Sequence, residues 1–259
     1  MQEIEVIRIK EDVQLKNPVF IVGLPGVGHV GKLVAEHLVE ELNAEKILEI
    51  YSHHFPPQVF VDENSEIHLV KNEMYVCRTE KHDILALIGD HQSSSTEGHY
   101  KLCTLYLDLA EEFGVQRIYT LGGFPTGQLT FSDEVLGAVN NKEMVEELKQ
   151  HGVIFKENEP GGGIVGASGL LLGLSKFRDL DAACLMGLTS GYLVDPKSAQ
   201  SLLKVISQIF EIDIDVGPLE ERAKEMEKIV ARLKEVEQQQ QGTMPDISPT
   251  KDDDLRYIG

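Results

Sequence analysis

The sequence predicts an α/β fold in which helices cover both sides of a mixed, mostly parallel β-sheet. Short continuous apolar runs alternate with segments whose apolar residues recur every three or four positions, and glycine-rich turns join the two kinds of segment. Continuous apolar runs are typical of strands buried on both faces, and the second period is typical of a helix packed on a sheet. Their alternation favours parallel strands linked by crossover helices.

The first half of the chain contains two predicted strand–helix units. Residues 18–23 form an apolar strand, and after a glycine turn the helical period runs from Lys32 to Leu42. Residues 84–89 form a second buried strand, which precedes a predicted helix over residues 99–113.

Two more central strands are predicted further along. Residues 118–121 form a strand that Gly122-Gly123 is expected to close, and residues 182–188 form another, followed by a helix over about 197–210. By contrast, residues 58–62 and 66–79 alternate apolar and polar side chains around a polar turn. Because a period of two is typical of half-exposed antiparallel strands, we predict hairpins at one edge or face of the sheet.

The composition divides the chain into an α/β domain over residues 1–215, a helical arm over residues 216–241 and a tail over residues 242–259. Gly217-Pro218 begins the arm. Its apolar residues follow a heptad spacing, at Leu219, Ala223, Met226, Val230 and Leu233. Because this seam is short, we expect the arm to pack on the domain or on a partner subunit.

The tail is predicted to be flexible and acidic, because two prolines and the acidic run 252–254 leave too little apolar surface to fold. Its tip nevertheless carries apolar and aromatic side chains. The predicted partner-docking residues are Leu255, Arg256, Tyr257, Ile258 and Gly259.

The charge and the composition exclude several classes of function. A formal net charge of −19 argues against nucleic acid or an anionic membrane as the main partner. No apolar run approaches the roughly 18 residues that span a bilayer. The N-terminus lacks the basic-then-apolar layout of a signal peptide. A soluble cytoplasmic protein is therefore expected.

The side chains that commonly bind metals are scattered. The three cysteines Cys77, Cys103 and Cys184 form no CxxC pair, which predicts buried, reduced thiols. The histidines lack carboxylate or cysteine partners at ligand spacing. No metal and no other cofactor is expected.

The most prominent motif is the strand-to-helix turn over residues 23–32. Gly26, Gly28 and Gly31 satisfy the dinucleotide-binding pattern in its proper context. A phosphate-loop pattern also matches in part, but Leu33 stands where Ser or Thr would hold magnesium. A close-packed turn requires small residues as well. Close packing is the favoured interpretation, and ligand binding is the alternative.

Other candidate segments follow the strands, at the edge where open α/β sheets bind ligands. Asp90 and His91 could serve acid–base or nucleophilic chemistry, while Ser95 or Thr96 could cap the next helix. Segments 122–127, which contains Gly123, and 189–192 lie at equivalent strand ends, and the glycine-rich segment 161–169 could bind an anion or form a flexible loop. The candidate crevice residues are therefore Gly26, Gly28, Gly31, Asp90, His91 and Gly123. No complete catalytic constellation is present, so no catalytic residue is assigned.

The turn over residues 23–32, the loop 122–127 and the segment 161–169 together resemble the archaeal branch of the proteasome assembly chaperone 2 family, over about residues 15–215. The resemblance implies a three-layer αβα fold similar to that of nucleoside phosphorylases, without their established activity. It also implies homo-oligomers that bind the α-ring of the proteasome core particle, as activator or assembly factor, through C-terminal tails inserted between α-subunits.

The family's tail ends in a hydrophobic residue, a tyrosine and any last residue, whereas Tyr257 stands third from the end. Either the tip is a variant that still places the ring and the terminal carboxylate, or the tail binds differently. Two alternatives stay open. One is a nucleoside- or phosphometabolite-binding enzyme that uses the glycine-rich loops, and the other is an oligomeric scaffold with another partner.

Overall fold

The computed structural model describes residues 2–128, 132–157 and 163–241, with side chains in the last helix described up to residue 229 and at residue 231. The strands are β1 (Ile4–Arg8), β2 (Val19–Gly23), β3 (Glu45–Ser52), β4 (Val59–Val61), β5 (Ile67–Leu69), β6 (Asn72–Cys77), β7 (Ile84–Gly89), β8 (Arg117–Pro125), β9 (Val135–Val139), β10 (Val153–Ile154) and β11 (Asp181–Thr189). The helices are α1 (Val30–Glu41), α2 (Thr96–Glu112), α3 (Met144–Gln150), α4 (Ala167–Ser175), α5 (Pro196–Phe210) and α6 (Gly217–Gln241). None of these helices combines the length and apolar character needed to cross a membrane.

One mixed sheet dominates the structure, in the order β1-β3-β6-β7-β2-β8-β11-β9-β10. The central strands β7, β2, β8 and β11 are parallel to one another. Antiparallel pairs join β1, β3, β6 and β7 on one side and β11 to β9 on the other. The mixed sheet covered on both faces confirms the predicted α/β fold.

Two buried clusters fill the space between the sheet and its helices. On one face, side chains of α2 and α4 such as Tyr106 pack on the sheet, and on the other face α1 and α5 contribute side chains such as Leu38. The central strand β2 serves both clusters, with Phe20 in the first and Ile21 in the second. A strand buried on both faces needs apolar side chains at every position, which explains its continuous apolar run.

The strand β8 is longer than the sequence predicted. Gly122-Gly123 does not close it at residue 121, because the strand continues to Pro125. Its neighbour β11 pairs with it along the whole length, with Thr189 opposite Pro125. Four of the six residues of the predicted loop 122–127 are therefore strand.

Of the predicted hairpins, one lies outside the main sheet. β4 and β5 pair with each other as a separate two-stranded sheet, called here the β4–β5 hairpin. The second half of the alternating segment, β6, instead enters the main sheet between β3 and β7.

Several short elements have no counterpart in the sequence prediction, namely β1, β9, α3 and β10. β1 and β10 form the two edges of the main sheet, and β9 has Gly137 at its centre. A Cβ at Gly137 would meet Val153 Cγ1 at 2.5 Å, so the glycine permits the approach of β10. Elements as short as these contain too few residues to show a clear hydrophobic period.

The root of the predicted arm packs on the domain. Leu219 and Ala223 in the first two turns of α6 are 1% and 3% exposed, whereas Ile229 is 45% exposed. Just before the helix, Nε2 of His37 lies 2.6 Å from the carbonyl oxygen of Asp215. The predicted tail, residues 242–259, lies outside the described residues.

The three cysteines are free and buried, as predicted. Burial raises the pKa of Cys77 and of Cys103 to about 12 and the pKa of Cys184 to about 11. Because the thiolate is the reactive form, we expect the native chain to react with Ellman's reagent at pH 8 at least about a hundredfold more slowly than the denatured chain. The absorbance of the released thiolate measures this, and rapid native labelling would contradict the buried placement.

Candidate functional site

The segments proposed for the site meet at one edge of the sheet. β7, β2, β8 and β11 are neighbours in that order and run parallel, so their carboxyl ends lie side by side. Open α/β sheets bind ligands at this position.

A crevice of about 480 Å³ opens at this edge. Its walls are the glycine turn at Gly26, the end of β8 over residues 122–125 and the segment 163–168, with Cys184 and Met186 of β11 between them. Of the predicted crevice residues, Gly26 and Gly123 line it. The other four do not.

Gln92, which the sequence interpretation missed, joins the two glycine-rich walls. Its Nε2 donates to the carbonyl oxygen of Pro25 at 2.7 Å, and its Oε1 accepts from the backbone N–H of Ala167 at 2.8 Å. That N–H lies at the start of α4, next to the segment for which the sequence analysis considered anion binding. The only sequence signal was the position of Gln92 directly after a strand.

The glycines of the turn are required by close packing. Gly28 has a φ of 62°, and a Cβ there would lie 2.8 Å from Oγ1 of Thr189. A Cβ at Gly31 would overlap the carbonyl oxygen of Leu121, and one at Gly123 would overlap that of Val27. These contacts support the close-packing interpretation, because the Thr189 side chain fills the space beside Gly28 and backbone atoms fill the space beside Gly31 and Gly123.

Lys32, the lysine of the partial phosphate-loop pattern, bonds to the protein itself. Its Nζ donates to the carbonyl oxygen of Gly89 at 2.8 Å and lies 3.2 Å from Oε1 of Glu36. A phosphate would have to displace both partners.

Asp90 and His91 face the β4–β5 hairpin rather than the crevice. Oδ2 of Asp90 accepts from the backbone N–H of Lys71 at 3.1 Å. The His91 ring stacks on Phe60 at 6.0 Å between centroids, and its Nε2 lies 2.7 Å from Nε2 of Gln58. Both residues therefore hold the hairpin to the domain.

The hydroxyl groups near these residues have a structural role. Ser95 caps α2, because its Oγ accepts from the backbone N–H of Gly98 at 3.1 Å. This confirms the capping alternative for Ser95.

The described lining of the crevice is poor in ionisable groups. Among its described lining residues the only ionisable side chain is Cys184, whose burial raises its pKa to about 11. The described lining thus provides apolar contacts, backbone groups, the Gln92 amide and the Ser168 hydroxyl, but no carboxylate, imidazole or amine to act as a general acid or base. Within residues 2–128, 132–157 and 163–241, no three His, Cys, Asp or Glu side chains group as metal ligands.

A comparison with protein families identifies the chain. The model described as the PAC2 family matches residues 20–234. The chain belongs to the PAC2 family. The family that the glycine-rich segments indicated is thereby confirmed.

Relatives of this PAC2 chain include one curated protein and two solved structures from archaea. An uncharacterised protein of Methanocaldococcus jannaschii is 39% identical over 252 residues, covering 97% of this chain and 96% of the relative. Pyrococcus furiosus PbaB, described as an archaeal proteasome activator, superposes with a TM-score of 0.85 at 39% identity, over 90% of this chain and 100% of PbaB. Pyrococcus furiosus PbaA, described as an archaeal homologue of proteasome-assembly chaperone, has a TM-score of 0.74 at 24% identity, over 94% of this chain and 96% of PbaA, and shows the shared fold. This PAC2 chain is thus a homologue of PbaB, and PbaB is the protein described as a proteasome activator.

Proposed function

We propose that this PAC2 chain binds the proteasome core particle without ATP, as an activator or an assembly chaperone. It docks on the α-ring through the C-terminal tails of a homo-oligomer. The observation that carries the proposal is the likeness to PbaB, at 39% identity over 90% of this chain and all of PbaB. Likeness over nine-tenths of this chain supports a shared class of partner.

The arm and the tail suit docking at a distance. α6 contains 25 residues and is therefore about 37 Å long. Residues 242–259 follow it and lie outside the described part of the chain. Treated as a random coil, these roughly 18 residues reach about 20–25 Å from the end of the helix.

A single tail is expected to bind weakly, because ordering the chain costs conformational entropy. Several tails on one oligomer raise the effective concentration of each remaining tail once the first has bound. Oligomerisation and tail docking therefore support each other in this proposal.

The crevice gives no support to the alternative function, an enzyme that binds a nucleoside or a phosphometabolite. Lys32 bonds to Gly89, the start of α4 bonds to Gln92, and the described lining carries no acid–base pair. A nucleoside or phosphorylated metabolite would meet few free polar groups there.

The proposal is tested with purified archaeal core particle and the full chain in ATP-free buffer. We expect the two to co-elute in gel filtration. A rise in hydrolysis of a fluorogenic peptide would assign activation, and binding without a rise would assign assembly. No co-elution at micromolar concentrations would refute the proposal.

A further inference from the structure

The last helix, α6, leads back to the edge of the sheet where the crevice opens. It packs against α5, and Nζ of Lys197 in the first turn of α5 lies 3.8 Å from Oε1 of Glu227 in α6. Since α6 begins soon after α5 ends, this contact shows that the two helices run antiparallel. The start of α5 in turn joins the glycine turn, because the backbone N–H of Asp195 donates to the carbonyl oxygen of Gly28 at 2.9 Å. α6 therefore returns to the end of the domain that carries one wall of the crevice.

The helix continues past this edge of the sheet. Fourteen residues, 228–241, follow Glu227 in α6, and at 1.5 Å per residue they make about 21 Å of helix. Residues 242–254 then precede the tip of the tail, residues 255–259. A segment of thirteen residues spans at most about 43–47 Å. Its reach is about twice the length of the helical overhang, so the tip can return to the crevice.

The crevice and the tip match in size and polarity. The volume of about 480 Å³ lies within the range of about 300–1,000 Å³ that encloses a drug-sized ligand, and a segment of two or three residues is of that size. The described lining has no charged side chain, and the tip carries Leu255, Tyr257 and Ile258. Transfer of these side chains from water to an apolar lining is favourable. The acidic run 252–254 stays outside in water, because burial of a carboxylate is costly.

The mouth of the crevice exposes two apolar side chains. Val165, on the wall that precedes α4, is 91% exposed, and Val27, on the glycine turn, is 39% exposed. With the lining they form a continuous apolar surface. Such a surface on a soluble protein commonly marks a binding site.

We propose that the tip binds in the crevice of its own chain and leaves it when the tail docks elsewhere. This inference goes beyond the proposed function, because it assigns an occupant to the crevice whatever partner the tails bind. Attachment through residues 242–254 gives the tip an effective concentration in the millimolar range. With a dissociation constant of about 0.1 mM, the tip occupies the crevice about nine-tenths of the time. A partner of the tail then binds with an affinity lowered by the fraction of open chains.

A single tryptophan in the crevice wall tests the proposal, because the sequence contains no tryptophan. Phe124→Trp keeps an aromatic ring at a half-buried lining position. We expect acrylamide to quench its fluorescence at least about twofold less in the full chain than after deletion of residues 255–259, because a mostly occupied crevice shields the ring. Equal quenching in the two chains would overturn the proposal.

Phe177→Trp is the matched control for this measurement. Phe177 is 87% exposed on the short helical turn that follows α4, at the end of α4 opposite to the crevice. Quenching at this position should be the same with and without the tip. A similar change at both positions would refute the placement of the tip in the crevice.

A peptide of residues 250–259 tests binding directly. Added to the Phe124→Trp chain that lacks residues 255–259, it should restore the shielding with a dissociation constant below about 1 mM, the effective concentration that attachment provides. The same peptide with Leu255→Asp and Tyr257→Asp should not restore it. A dissociation constant above this limit would refute the proposal, since the attached tip would then be unbound most of the time.

A carboxylate at the mouth should release the tip. In the Phe124→Trp chain, Val165→Glu places a charge where the tip would cover it and where it repels the acidic run 252–254. We expect this variant to lose the shielding, whereas Phe177→Glu, which adds the same charge at the other end of α4, should keep it. Shielding that survives Val165→Glu would contradict the proposed placement.

Co-expression distinguishes the crevice of the same chain from that of a second copy. The Phe124→Trp chain that lacks residues 255–259 is produced together with the full chain, which has no tryptophan. Its tryptophan should stay unshielded, because its own tip is missing. Restored shielding would place the tip in a neighbouring copy and overturn binding within one chain. No core particle is present in these measurements, so their outcome is independent of the proposed function.

Discussion

Deletion of residues 255–259 is expected to lower the apparent affinity of the full chain for the proteasome core particle by about 10²–10⁴-fold. This is the gain in affinity that multivalent attachment usually gives over a single attachment. The deletion removes all five predicted docking residues, including Leu255 and Tyr257, from every copy at once. Surface plasmon resonance on immobilised core particle measures the loss.

A control variant that keeps the last five residues distinguishes their contribution to binding from that of the acidic run. Replacing Asp252, Asp253 and Asp254 by Asn removes the acidic run but leaves the length and the last five residues unchanged. This variant should bind within a fewfold of the native chain. Undiminished binding after the deletion would place the contact on another surface, and full binding by Tyr257→Ala would exclude the displaced tyrosine as the docking group.

The second large effect is expected from Gly31→Ala in α1. A Cβ at this position would overlap the carbonyl oxygen of Leu121, so α1 would have to move away from β8. We expect a loss of about 3 kcal/mol in the free energy of unfolding, the upper end of overpacking costs, since a clash with backbone cannot be relieved by a rotamer change. Urea unfolding followed by circular dichroism measures it.

Gly173→Ala in α4 is the matched control, because no atom beyond its chain neighbours and the backbone of its own helix lies within 4 Å of its Cβ position. Alanine in a helix interior should raise the stability by about 0.5–1 kcal/mol. If Gly31→Ala were as well tolerated as Gly173→Ala, close packing would not be the reason for the glycine.

The central strands could be predicted because their environment is uniform. Residues 84–89 are buried at every position, so the apolar run and the strand β7 coincide. The extension of β8 through Gly122-Gly123 could not be predicted in this way. These residues are strand because they pair with β11, which lies about sixty positions later in the sequence. The hairpins were recognised from their period, but no local signal separates β6, which enters the main sheet, from β5, which does not.

The location of the candidate site could be predicted better than the side chains that form it. Parallel strands bring their carboxyl ends together, so the crevice lies where the sequence indicated. Gln92 was missed because its two partners, Pro25 and Ala167, are distant in sequence. Asp90 and His91 were placed near the crevice by chain adjacency, whereas their contacts with Lys71 and Phe60 direct them to the hairpin.

Among the described side chains of α6, the buried ones lie in its first two turns, so the helix is anchored to the domain near one end. Leu219 and Ala223 set its direction at one end, while the helix extends about 37 Å to the point where residues 242–259 begin. A tilt of about 10° at the root would displace that far end by about 6 Å, from the same helix length. In the proposed oligomer, the spacing between the points where the tails depart therefore depends on the packing at the start of α6.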